Sequence, residues 1–489
     1  MNWQQEYKRK LISAEKAVAL VQSGDRVNFH LPPHPKLLPQ ALANRRYELK
    51  EVTIMVGAPA FGQWFQTGWE ESFPVTLETY SGLQTRALMD ERRGDFFPHS
   101  FSLQMKARNE RAFSGAKGKD IFMVLISPPD NHGFCSFGTG LWNKKSMAQK
   151  ADVVIAEVDE NQIRTYGDNY IHVSQIDYFV EHTPQLPSPE QIEAQLNKVD
   201  SLEWREKWRA ILPRLDPERF LIFFSYVPTA DPSRIERILG ITEPEESIKQ
   251  IAKNASTLIH DGDTIQIGVG GTTGQLVTAG IFEGKSDLGI HSELLSSGMV
   301  QLVKQGVITG KYKSVHPGKV VVTSLFPGVT WQDLEFVDGN PIFEQYQIDE
   351  VLSIAVIAAQ RNLAAINNAL FVDLTGQIGI ETTLGFRLWN GPGGQLEFSI
   401  GAVLAKGGRS ITVLPSTALG GATSRIVPLI EEGVMVNIPR AFADYVVTEY
   451  GIASLLGKTQ RQRAEELIAI AHPDFRQELR QQARKLFYP

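Results

Sequence analysis

The chain has 489 residues, 42% of them hydrophobic and 21% charged, with a formal net charge of -6. Its mixed signs and lack of a basic stripe exclude a nucleic-acid partner, and its length exceeds what one core holds, so two domains are expected. The single cysteine, Cys135, excludes an internal disulfide framework and a cysteine-built metal centre.

The first ten residues are polar, with no leader pattern, and the longest apolar stretches, such as residues 351–359, are too short to span a bilayer. A cytoplasmic protein with no membrane partner, no metal and no permanently bound cofactor is therefore expected. Residues 14–22 have the spacing of an amphipathic helix. Ser23-Gly24-Asp25 then makes a turn into an alternating strand that runs to Phe29. The same order returns at residues 248–259, Asp261-Gly262-Asp263 and the strand to Ile267. A second echo joins residues 151–157 to residues 443–449, two β-branched strands that end on Glu157 and Glu449. These echoes point to a duplicated α/β unit.

Continuous apolar runs at residues 121–126, 320–325 and 410–414 suit parallel strands covered on both faces, and residues 461–471 read as a helix. Between the two units, residues 184–189 form a proline-rich exit. A charged helical pattern with Trp204 and Trp208 follows over residues 191–212, then an apolar run over residues 220–227. This stretch is too structured for a flexible linker and reads as an inserted subdomain.

One site stands out in the second unit. Gly268-Val269-Gly270-Gly271-Thr272 follows a strand, and Glu293 lies at the end of the next strand. Three readings are open. A dinucleotide site fits the glycines and the acidic residue, but Thr273 stands where the fingerprint wants its third glycine. A carboxylate nucleophile fits equally: Glu293 is ionised at neutral pH by its ordinary chemistry, and the turn offers bare N–H groups for an oxyanion. A second glycine loop, Asn390-Gly391-Pro392-Gly393-Gly394, offers more of them. The third reading is structural: glycines in a strand–helix turn and a solvated glutamate.

The chain resembles the acetyl-CoA hydrolase/transferase family, among class I coenzyme A transferases such as the 4-hydroxybutyrate and butyrate:acetate CoA-transferases. The likeness is carried in the first half by Ser127-Pro128-Pro129-Asp130-Asn131-His132-Gly133 and Arg164-Thr165-Tyr166-Gly167. In the second half it is carried by the Gly268 turn, Ile290-His291-Ser292-Glu293, residues 365–377, Pro415-Ser416-Thr417-Ala418 and residues 446–453. The resemblance implies two similar open-sheet α/β domains of the NagB-like, class I CoA-transferase type, with an inserted helical segment. The expected divisions are residues 1–187, an insertion at 188–240, and residues 241–489 carrying the nucleophile.

The resemblance further implies that Glu293 is the nucleophile, attacking an acyl-CoA to form an acyl-glutamyl anhydride and then a glutamyl-CoA thioester. Backbone N–H groups of Val269 or Gly270 and of Gly394 would hold the oxyanions. Gly268, Val269, Gly270, Gly271, Thr272, Asn367, Asn390, Gly393 and Gly394 would contact coenzyme A or the acyl group. Substrates would be an acyl-CoA and a small, acetate-type carboxylate, and the assembly a homodimer. An acyl-CoA hydrolase uses the same residues, and a non-catalytic acyl-CoA sensor is the rival from another class. The chain departs from the family at Leu294-Leu295-Ser296-Ser297-Gly298, at Leu396-Glu397, at residues 346–350 and in the insertion, all of which bear on substrate identity.

Other polar residues read as structural. His132 and His172 are expected to be hydrogen-bond partners, and His291, two residues before Glu293, to support it from the same strand face. Arg164 is either a ligand for a substrate carboxylate or an ion pair between domains. Cys135 is expected to be a buried packing residue, and Trp204 and Trp208 a packing face. Ser416 and Ser424 have no base near in sequence and are not read as nucleophiles.

Overall fold

The computed structural model describes residues 2–57, 59–79, 85–110, 117–215, 217–224, 227–228, 230–238, 242–325 and 330–489. Two large sheets organise them. The first runs, in spatial order, Tyr178–Glu181, Val153–Val158, Asp120–Ile126, Arg26–His30, Thr53–Gly57, Val75–Thr79 and Asp95–Phe96. All its neighbours pair in parallel. The second runs Gly451–Ser454, Tyr445–Thr448, Arg409–Val413, Leu363–Asn368, Thr264–Ile267, Gly289–His291, Val320–Val322, Phe343–Gln345 and Tyr166–Gly167. Only the Tyr445–Thr448/Gly451–Ser454 pair is antiparallel.

The two sheets share one topology. Each half starts on a central strand, Arg26–His30 or Thr264–Ile267, and steps outward over three strands. It then returns to the other side of the central strand and steps outward again. The Gly-Asp echo marks equivalent places. Gly24 and Gly262 have φ of 87° and 77°, which glycine adopts without strain. The aspartate that follows turns back in both: Asp25 Oδ2 accepts the Gln22 N–H at 2.8 Å, and Asp263 Oδ2 accepts the His260 N–H at 2.7 Å. The second echo does not follow the topology. By place in the sheet, Tyr445–Thr448 corresponds to Tyr178–Glu181, and Val153–Val158 corresponds to Arg409–Val413. Both echoed strands are short, buried and β-branched, a pattern that parallel strands share whatever their position.

The apolar runs at residues 121–126, 320–325 and 410–414 form the buried strands Asp120–Ile126, Val320–Val322 and Arg409–Val413. The stretch after the proline-rich exit is helical: Pro189–Leu196, Leu202–Ile211, Pro217–Phe224 and Pro232–Ile238. It has an apolar cluster of its own around Trp208, Ile211, Leu215, Phe220 and Val227, and Trp204 packs at its edge. Ser225, Tyr226 and Thr229 of this stretch lie outside the described residues. Pro232–Ile238 packs on Thr273–Leu276, the helix that follows the Gly268 turn.

The halves interlock. Tyr166–Gly167, from the first half of the chain, is the edge strand of the second sheet and pairs with Glu344 and Gln345. The Leu141 and Trp142 N–H groups both donate to Thr323 O, at 3.1 and 3.2 Å, and the Leu325 N–H donates to Thr139 O at 2.7 Å. No helix among the described residues is long and apolar enough to cross a membrane.

Candidate active site

In an open parallel sheet, strand order reverses at one place, and loops on either side of it diverge to leave a crevice at the carboxyl ends. In the second sheet that place lies between Thr264–Ile267 and Leu363–Asn368. The Gly268–Thr272 turn leaves the first strand there, and Asn367 and Asn368 end the second. Two glycines are needed for close approach. A Cβ on Gly268 would stand 2.8 Å from Asn367 Oδ1, and one on Gly270 would overlap Asn368 Nδ2. Asn368 then holds the turn: Oδ1 accepts the Thr273 N–H at 3.0 Å and Nδ2 donates to Thr273 Oγ1 at 2.7 Å. Gly271 faces open space, and Val269 is exposed at the tip. The helix beyond, Thr273–Leu276, is four residues long, which is shorter than the helix a dinucleotide pyrophosphate sits on.

Asn367 is 5% exposed, and both ends of its amide pair with Gln266. Its Nδ2 donates to Gln266 Oε1 at 2.8 Å, and its Oδ1 accepts from Gln266 Nε2 at 3.0 Å. It therefore braces the two central strands beneath the turn.

Glu293 follows the neighbouring strand, Gly289–His291, which pairs with Thr264–Ile267. Its main chain is fixed by three donors. The Thr323 N–H, the Ser324 N–H and Thr323 Oγ1 all give to Glu293 O, at 2.9, 3.2 and 2.8 Å. Three residues on, Ser296 Oγ donates to Ile267 O at 3.1 Å and ties this loop to the Gly268 turn. The side chain is half-buried. Its Oε2 accepts the Gly394 N–H at 2.8 Å. Burial, and next the charge of Glu397, push the Glu293 carboxyl up to about 8, against the pull of the Gly394 N–H.

The glycine loop delivers that N–H from outside the sheet. Gly393 has φ of 55°, and Gly394 caps the helix Gln395–Leu404. Leu352 and Glu293 Oε2 together occupy the space where a Gly394 side chain would be. Asn390 stands at the exposed start of the loop, with its N–H on Glu381 O at 3.1 Å and its amide 3.4 Å from Ile380 O. The structure thus joins Glu293 and Gly394 directly and sets the Gly268 turn on the adjacent strand end. Asn367 stands below the turn and Asn390 at the outer edge of the loop.

Residues around Glu293 that no motif marks are Thr323 and Leu352, and Ser102 holds the nearby helix through Glu397. Thr323 was hidden inside an apolar strand run, and Ser102 and Leu352 come from distant loops with no local signal. Glu397 was visible only as a departure from the family pattern. It is 1% exposed, with Oε1 accepting the Ser102 N–H at 2.9 Å.

The remaining polar residues behave structurally. His291 is buried, which pushes it down to about 3, and its Nε2 faces Val351 O at 2.9 Å as the donor of a neutral ring. It thereby anchors the residue before Leu352. His172 Nδ1 pairs with Ser174 Oγ at 2.8 Å, and the His132 N–H donates to Asp130 Oδ1 at 2.8 Å. Arg164 binds first-half carbonyls at Phe134 and Pro128 and lies 3.8 Å from Asp130, while its own N–H donates to Asp338. Cys135 is buried, which pushes its thiol up to about 12. Ser416 Oγ donates to Glu449 at 2.6 Å, and Ser424 Oγ to Ile426 O at 2.7 Å.

Comparison with known proteins agrees over the whole chain. The acetyl-CoA hydrolase/transferase N-terminal domain matches residues 1–188, and the C-terminal domain of the same family matches residues 332–483. A 4-hydroxybutyrate coenzyme A transferase of Clostridium kluyveri is 37% identical over 100% of both chains. A succinyl-CoA:cyclohexane-1-carboxylate CoA transferase of Geobacter metallireducens is 32% identical over 99% of this chain and 97% of its own. The crystal structure of RipA from Yersinia pestis superposes with a TM-score of 0.80 at 27% identity, covering 100% of both chains. The duplicated sheets, the crevice at the carboxyl ends of the second and these full-length matches agree: the chain belongs to the acetyl-CoA hydrolase/transferase family.

Proposed function

We propose that this protein is a CoA-transferase that carries CoA from an acyl-CoA to a small, acetate-type carboxylate by way of Glu293. The single observation that supports this most is the Gly394 N–H on Glu293 Oε2, at 2.8 Å. The Glu293 carboxylate attacks the thioester carbonyl; the C–S bond breaks, giving an acyl-glutamyl anhydride and CoA thiolate. The thiolate attacks the glutamyl carbon of the anhydride, releasing the first carboxylate and leaving a glutamyl-CoA thioester. An acceptor carboxylate attacks that thioester, giving a second anhydride and thiolate. The thiolate then takes the new acyl group and frees Glu293.

In two of these steps charge develops on the glutamyl oxygen itself. The Gly394 N–H already lies on that oxygen, so it needs no rearrangement to serve. The acyl oxygen is assigned to the Val269 or Gly270 N–H, at the end of the adjacent strand, and coenzyme A to the Gly268–Thr272 turn and the Asn390–Gly394 loop. Apolar cover from Leu352 favours transfer over attack by water. We divide the chain at residues 187/188 and 240/241, a reading supported by the separate apolar cluster of the inserted helices.

The test is mass spectrometry of the protein digested after exposure to acetyl-CoA. CoA on the Glu293 peptide, absent from Glu293→Ala, is the expected result. Release of free CoA and acetate with no adduct and no transfer to added carboxylate would favour hydrolysis instead. Binding of acetyl-CoA without any turnover would make the protein a sensor.

A further inference from the structure

The loop that brings Gly394 to Glu293 has little to fix its own shape. Gly391, Gly393 and Gly394 carry no side chain, and the space around Gly393 is open. The position of the Gly394 N–H is therefore set where the loop begins and ends. At its far end, Gln395 Nε2 donates to Asn368 O at 2.8 Å, at the end of Leu363–Asn368, and the Ser102 N–H donates to Glu397 Oε1 at 2.9 Å.

At its near end the loop is held by the first half of the chain. The hairpin of Thr382–Thr383 and Arg387–Leu388 leads into it. Leu388, 7% exposed, belongs to the apolar cluster of the first sheet, with Leu77 and Leu88. Arg387 Nε and Nη2 donate to the two oxygens of Asp90 at 3.2 and 2.7 Å, a planar two-point pair. The next residue, Trp389, lies under Arg86, whose guanidinium carbon stands 4.0 Å from the ring centre, well inside the reach of a cation–π contact. Arg86 Nε is buried with no hydrogen-bond partner among the described residues, and Asp90, one turn along the same helix, is taken by Arg387. The Trp389 and Asn390 N–H groups both donate to Glu381 O, at 2.6 and 3.1 Å, so the main chain at the ring and at the start of the loop moves as one piece.

We propose that Trp389, clamped by Arg86, is a positioning residue for the reaction at Glu293: the stack fixes the start of the glycine loop and, through it, the Gly394 N–H on the carboxyl. The inference rests on the transfer reading above, since it takes that N–H to serve the reacting carboxyl. With the stack gone, the loop is free to turn about its glycines and the donor leaves Glu293 Oε2.

The test follows the rate of Glu293–CoA adduct formation from acetyl-CoA against pH. Trp389→Leu removes the ring without changing charge, Trp389→Phe keeps a ring, and Arg86→Lys keeps the charge but not the flat guanidinium face. The rate is expected to fall about tenfold in Trp389→Leu, to fall less in Arg86→Lys, and to recover most of its value in Trp389→Phe. The Gly394 N–H holds the Glu293 carboxyl down against burial, so the midpoint of the pH profile is expected to move upward from about 8 in Trp389→Leu and Arg86→Lys. A loss of stability alone leaves that midpoint in place. In Gly394→Ala, where the donor is already displaced, adding Trp389→Leu is expected to cost little more. Wild-type rate and midpoint in folded Trp389→Leu, or full additivity with Gly394→Ala, overturns the inference. Should Trp389→Leu not fold, Arg86→Lys decides, and an unchanged rate and midpoint there overturns it. A wild-type protein that forms no adduct overturns the transfer reading itself, and this inference falls with it.

Discussion

Gly394 has φ of -98° and ψ of 11°, angles open to any residue, so its lack of a side chain serves space and not backbone. A Cβ there would overlap both Glu293 Oε2 and Leu352. Gly394→Ala is therefore expected to fold but to push Glu293 off its donor, lowering kcat/KM by about 10²-fold. Steady-state kinetics beside a urea titration checks this. Glu293 itself is a group the fold resists charging. Its carboxyl is raised to about 8 from an ordinary 4.5, first by burial and then by Glu397. In the proposed reaction the attacking form is the carboxylate, so adduct formation should rise as pH rises through about 8 and fade below it. The stability sign is opposite. Between 4.5 and about 8 the folded state holds a proton that the unfolded state has lost, so this group's contribution declines as pH rises. Glu293→Gln should then be more stable than wild type at pH 8, by about 1 kcal/mol, while inactive. A melting comparison at pH 5 and pH 8 decides it.

At the scale of elements, one topology has been used in two ways. The switch point of the first sheet lies between Arg26–His30 and Asp120–Ile126, the counterpart of the crevice that holds the Gly268 turn. There the place is filled from within. Glu157, fully buried, takes the N–H groups of Lys36, Leu37 and Leu38 at 2.8–3.1 Å, at the start of Leu37–Ala43. His182 Nδ1 stands 2.9 Å from the same carboxylate, whose hydrogen bond raises the imidazole above its usual range. A glutamate near the end of a strand thus serves in the first half as a fixed internal acceptor. Glu157→Ala leaves those N–H groups buried and unmet and should cost about 3–5 kcal/mol, measured by urea unfolding. The same substitution is not expected to alter the Glu293 adduct in protein that remains folded.

At the scale of the whole molecule, the halves are coupled through the residues that hold Glu293. Trp142 binds Thr323 O, and the Thr323 N–H and Oγ1 hold Glu293 O. Tyr166–Gly167 completes the second sheet from the first half of the chain. Thermal unfolding should therefore show one calorimetric transition for both sheets; two separable transitions would contradict this coupling. Gly167, with φ of 87°, lies so close to Gln345 that a Cβ would overlap its main chain. Gly167→Ala should lower stability by roughly 2 kcal/mol and loosen that edge, which hydrogen exchange at Glu344 and Gln345 would report.

Much of the fold was legible in the sequence because its signals are local. Continuous apolar runs mark strands covered on both faces, and Gly24-Asp25 and Gly262-Asp263 encode the same turn through φ and one side-chain bond. Glu293 and the glycine turns were legible for a similar reason: bare N–H groups and a strand-end carboxylate have few residue types that supply them. The echo of residues 151–157 in residues 443–449 misled, because parallel buried strands look alike in sequence wherever they lie in the sheet. What only the tertiary structure decided is which distant groups meet. Gly394 reaches Glu293 across 101 residues, and Ser102 reaches Glu397 across 295. Such pairings depend on strand order and on how two sheets face each other, and no local pattern carries either. The sequence by itself determined the strands, the glycine turns and the strand-end glutamate; the structure determined that the Glu293 carboxyl meets the Gly394 N–H and lies by Leu352, because long-range packing sets what a side chain faces.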